Sequence, residues 1–192
     1  IFGRCRKVYT QAMNIYDQLL IEVKRESPRF SLLYKKDSKL MRLAALALKI
    51  ISFGQMSSFL EGFITTFGYT VYVPSSWEDQ ALESRVITLR HERVHMRQRK
   101  ELGALRFYGS YFLWPFPILF SSGRRDIEQK AYEDTIRAMK YYYGFSVVES
   151  KEFREAIINH FMTSDYFWAW PWRRSLEKWY DGVLEKLRTE QS

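Results

Sequence analysis

"SSWEDQALESRVITLRHERVHMRQRKEL", residues 75–102, is the stretch on which the reading of this chain turns. Ser76 and Asp79 stand in capping-box spacing at its start and Gly103 follows its end, so it predicts one long helix. Four residues on a helix advance the chain by about 400°. His91 and His95 therefore point the same way one turn apart, with Glu92 beside the first. The chain has 3 histidines in all, so two in this spacing are informative. Two imidazoles so placed converge on one cation, and zinc suits that donor pair.

A catalytic zinc site takes three protein ligands and keeps a fourth position for water, so a third donor is needed. Glu101 follows His95 on a helix that continues through Gln98, which turns it about 240° away and rules it out. Glu128 in "RRDIEQKAYEDTIRA" (124–138) is the better candidate. It lies early on the next strong helix, with Ala131 one turn on where two helices can approach closely, and its carboxylate is the hard anionic donor that a His₂Glu set requires. Plain readings compete. Arg90, Arg93, Arg97, Arg99 and Lys100 surround the His pair as they would on a solvated face, and Glu128 could pair with Arg124 or Arg125 near a helix start.

Around this centre the periodicity predicts mostly helix. Val8, Ala12, Ile15, Leu19 and Val23 form one stripe over 5–24, ended by Pro28, and a second apolar helix runs over 37–53 to Gly54. "GFITTFGYTVYVP" (62–74) changes to β-branched and aromatic residues, predicting a short hairpin that turns at Phe67 and Gly68 and closes at Pro74. Residues 105–120 read as an aromatic segment ending in a Pro-containing turn, and 126–143 as a helix stopped by Gly144. Two more helices are expected near 149–162 and 174–189, separated by the aromatic "DYFWAWPW" (165–172), read as packing or an interface. The expected architecture is α+β, mostly α, with a small β element beside the motif helix. It is read as a single domain over 1–192, with N-terminal helices in 1–60, the hairpin and site helices in 61–145, and a helical aromatic region in 146–192.

Three pieces together resemble the gluzincin class of zinc metallopeptidases, the class of thermolysin, and its small minimal-scaffold members in particular. They are "TTFGYTVYVP" before the motif helix, "HERVHMRQ" as an HExxHxxQ segment, and "EQKAY" as a later helix with Glu followed by Ala at the third position. The resemblance covers residues 63–132. It implies a zincin-like fold, one zinc ion held by His91, His95 and Glu128, Glu92 as general base, and a peptide or protein substrate held by strand addition at the hairpin's edge. Two positions depart from the pattern. Arg93 puts a charge between Glu92 and His95, and Tyr132 stands where thermolysin-like enzymes place an Asp that orients a ligand His. Gln98, Tyr132 and His160 are weaker candidates for support or oxyanion stabilisation, in a pool that includes Tyr141 to Tyr143 and several arginines.

Composition narrows less. The single Cys5 excludes an intrachain disulfide framework and suits a reducing compartment or a disulfide-free particle; no intact signal peptide is read, and no apolar run is long enough to span a membrane. The net charge of +8 favours acidic partners, nucleic acid among them, although no nucleic-acid-binding motif is present. The rival to the peptidase reading is a subunit of a larger assembly such as a virion particle, joined through the aromatic C-terminal region, with a structural or vestigial site.

Overall fold

Pro28 cannot continue a helix, and the first described helix, α1 (15–26), stops just before it, with the Ser27 N–H donating to the Val23 carbonyl at 2.8 Å. The computed structural model describes residues 15–51, 64–112, 120–163 and 170–190, without the side chains of 47–51. The expected start of α1, with Val8 and Ala12, lies outside those residues, as do Gly54, the Pro115–Pro117 turn and most of the 165–172 aromatic cluster. Leu19 and Val23 bury the predicted stripe one turn apart.

The chain forms two compact units, 1–96 and 97–192. In the first, β1 (Ser31–Tyr34) pairs parallel to β3 (Thr70–Val73), and β2 (Thr65–Phe67) pairs antiparallel to β3. The hairpin is the predicted one, shifted by a residue. Phe67 pairs with Thr70, so the turn residues are Gly68 and Tyr69, and Gly68 takes the φ of +68° that only glycine adopts without strain. β1 was not expected: "SLLY" is four residues long and carries no alternation to mark it. It makes β3 the central strand, which fits the burial of Val71, Tyr72 and Val73. Helix α2 (Lys39–Ile51) starts at the Ser38 cap, whose Oγ accepts from the Met41 N–H at 3.3 Å, and its Met41 packs on Tyr72.

The expected capping box at Ser76 does not form. Ser75–Asp79 is a 3-10 turn anchored by the buried Trp77, Gln80 is extended, and the motif helix α3 runs from Leu82 to Leu102. Gln80's extended ψ of 148° breaks the helical path, so capping chemistry at Ser76 has no helix to cap. Gly103, with φ +75°, ends α3 as predicted.

In the second unit, α4 (Ala104–Phe112) is helical where only an aromatic segment was expected. α5 (Ser122–Tyr143) begins one turn earlier than read, capped by Ser121, whose Oγ accepts from the Arg124 N–H at 3.1 Å, and it ends at Gly144 with φ +93°. Then come α6 (Phe145–Glu149), which was not expected, α7 (Lys151–Met162) capped by Ser150, and α8 (Arg173–Thr189). Ile136, Val148, Ile158, Phe161, Leu176 and Tyr180 form the fully buried heart of this unit's core. The fold is α+β and mostly α, with one small mixed sheet among the described residues. No helix among the described residues is long and apolar enough to cross a membrane.

Candidate metal centre

α3 is polar along most of its length, yet it buries ionisable residues. His91, Glu92 and His95 are 9%, 7% and 8% exposed, on the same helix as the buried Leu89 and Met96. A solvated charged face is excluded for these three. Arg97, Lys100 and Glu101 are exposed members of the helix, so the rejection of Glu101 agrees with its position.

One turn of helix brings Nε2 of His91 to 3.1 Å from Nε2 of His95, with the rings at 78° to one another. Two nitrogens at zinc-bonding distance and a tetrahedral angle would stand about 3.3 Å apart. The pair therefore fits a shared cation. Glu92 makes no hydrogen bond or ion pair to any described residue, although it is buried. Arg93, the charge inside the motif, is turned to other partners: its Nη1 meets Glu22 at 2.9 Å, and its Nε and Nη2 donate to both oxygens of Glu26. These two carboxylates on α1 hold the guanidinium above its ordinary range, the Glu26 hydrogen bond being the main cause.

Glu128 is 1% exposed in the middle of α5's first half, and the Tyr111 hydroxyl donates to its Oε1 at 2.6 Å. The surface reading of Glu128 is thus corrected, because α5 starts at Ser122 and carries this residue inward. Arg125 is engaged by Asp126 at 2.6 Å and by the face of Trp170 at 3.9 Å. Arg124, also 1% exposed, donates from Nε to the Tyr111 carbonyl at 2.9 Å and lies over the Tyr111 ring. Burial pulls its guanidinium down, against the opposing pull of Tyr111 and Glu128.

Gln98 has a definite place. Its side-chain amide donates to the Ile127 carbonyl at 2.9 Å, so the last turns of α3 are tied to the residue preceding Glu128. The ligand atoms of His91, His95 and Glu128 all lie within 4.8 Å of one another, forming a buried two-imidazole, one-carboxylate group that can hold a metal ion. Two imidazole nitrogens with one anionic oxygen suit a divalent transition-metal ion.

Tyr132 and His160 stack on each other, centroids 6.0 Å apart and 19° between planes, with Tyr132 also against Phe161. Tyr141 and Tyr143 are exposed at the far end of α5, and Tyr141 is about 20 Å along the helix from Glu128 at 1.5 Å per residue. Sequence reasoning missed Tyr111, and it named Arg124 only as a surface partner for Glu128, not as the buried residue it is. The available signal was the spacing of Phe107 and Tyr111, one turn apart on a segment whose prolines lie further on. No protein-family model, curated protein or solved structure matches the chain.

Proposed function

We propose that this protein is a zinc-dependent metallopeptidase that uses Glu92 as its general base. The buried approach of the His91, His95 and Glu128 donor atoms to within 4.8 Å carries this reading. Zinc held there would polarise the scissile carbonyl and lower the pKa of the attacking water. The two imidazoles contribute neutral nitrogen lone pairs, and Glu128 contributes the single negative charge of the ligand set. Glu92 is next in sequence to the first ligand, buried, and unengaged by described residues. It accepts a proton from the water as the water attacks, and passes it to the nitrogen of the leaving amine. Low exposure strengthens each of these electrostatic contributions.

The substrate in this reading is an extended peptide or protein segment. β3 is paired on both sides, so strand addition is left to the sheet's edges, β1 and β2. A second reading, a metal-stabilised subunit of a larger assembly, draws on Phe120 and Trp172, which are 40% and 56% exposed with rings 6.3 Å apart. Glu92→Gln separates the two. Under the peptidase reading the variant keeps its metal and loses about 10²- to 10⁴-fold in turnover on a peptide library. Equal turnover by wild type and variant, or none by zinc-loaded wild type, would contradict it.

A further inference from the structure

We propose that Tyr111 is a positioning residue of the metal centre, holding Oε1 of Glu128 so that the carboxylate meets the cation through Oε2. The inference rests on the metal-site reading above and deepens it. A carboxylate ligand has two oxygens and free rotation about its last bond, so a hydrogen bond to one oxygen fixes which lone pairs face the metal. The Tyr111 hydroxyl is 2.6 Å from Oε1, within the range of a charge-assisted O–H···O⁻ bond.

What surrounds Tyr111 fixes its aim. The last carbonyls of a helix have no partner within it, and α4 ends at Phe112. Two of these carbonyls are taken by the start of α5: Ser121 Oγ donates to the Ser110 carbonyl at 3.2 Å, and Arg124 Nε donates to the Tyr111 carbonyl at 2.9 Å. Gly123 makes the approach possible, since a Cβ there would lie 2.4 Å from the Ser110 carbonyl oxygen. The Arg124 guanidinium, 5.0 Å from the Tyr111 ring centroid, closes one face of that ring, and Phe107 stacks on it at 6.1 Å. Backbone, ring and hydroxyl of Tyr111 are therefore each engaged by a separate group, and the hydroxyl is directed at the carboxylate proposed as a ligand. A buried guanidinium is a costly means of merely joining two helices. Here it fixes a phenol against a ligand.

Cobalt(II) titration of the full chain, followed by visible absorption, tests the proposal against a purely structural role. Tyr111→Phe keeps the stacked ring and removes only the hydroxyl. It is expected to bind cobalt 10- to 100-fold more weakly than wild type, with an altered visible spectrum and an unchanged far-ultraviolet spectrum. The same affinity and spectrum as wild type would overturn the role of Tyr111 while leaving the metal centre standing. A wild type that takes up no cobalt would overturn the centre and this inference with it. Should Tyr111→Phe fail to fold, 3-fluorotyrosine installed at position 111 preserves the hydroxyl, and its ¹⁹F resonance is expected to move as one equivalent of zinc is added. A resonance that stays in place while zinc binds would contradict the proposal.

Discussion

Arg93 lies between the two motif histidines in sequence, yet its guanidinium is bonded to Glu26 on α1, with Nε donating to Oε2 at 3.0 Å. A helix places adjacent residues about 100° apart, so a residue two positions from either histidine faces away from both. The charge that breaks the usual motif pattern is thus a fastener between α3 and α1, with Glu22 as a second partner at 2.9 Å.

Arg93→Gln is expected to lower stability by about 1–2 kcal/mol, because the side chain is 17% exposed and makes charge-assisted bonds. Urea unfolding measures the loss. In a double-mutant cycle with Glu26→Gln the two losses should not add, since they remove one interaction. Additive losses would show that the pair contributes nothing jointly.

Gly123→Ala should be far more damaging than an ordinary helix substitution, where alanine is favoured over glycine. Its Cβ would meet the backbone of Ser110 at 2.4 Å, and backbone cannot rotate out of the way. A loss of about 2–3 kcal/mol is expected, of the size typical of overpacking. Metal affinity should fall with it, as α4 carries Tyr111 away from Glu128. A variant as stable as wild type, measured by thermal or urea melts, would mean that α4 and α5 do not approach as described.

Much of this centre was legible in the sequence because its parts are local. The i, i+4 spacing of His91 and His95 and the glycines at 103 and 144 carry their own geometry, and the helix and hairpin periods follow from side-chain type. What escaped is tertiary. "SLLY" becomes a strand only by pairing with β3, thirty-nine positions away at the Ser31–Thr70 contact. Ser76 resembles a cap, but the burial of Trp77 tightens the segment into a 3-10 turn instead. Tyr111 and Arg124 acquire meaning only when α4 folds back along α5. Nothing in the spacing of either segment encodes that approach except Gly123, whose role is visible only against Ser110.

Tyr180 predicts the alkaline behaviour of the second unit. Its hydroxyl donates to the Val148 carbonyl at 2.8 Å, and burial pushes the phenol well up, with Arg154 opposing. A raised phenol favours the neutral folded form, so its contribution is fully present below the ordinary tyrosine value of about 10 and is lost as pH rises from there toward the folded value. Tyr180→Phe should cost about 1 kcal/mol at neutral pH for the lost hydrogen bond. It should also show a shallower decline in stability above pH ~10 than wild type. Parallel alkaline limbs in urea titrations of the two proteins would refute this assignment.

The central claim is that His91, His95 and Glu128 hold one metal ion, and metal content tests it most directly. Wild type and Glu128→Ala, purified side by side and analysed by mass spectrometry, should give one zinc per wild-type chain and a sharp drop in the variant. A folded wild type that carries no metal and takes up none from added zinc would contradict the account.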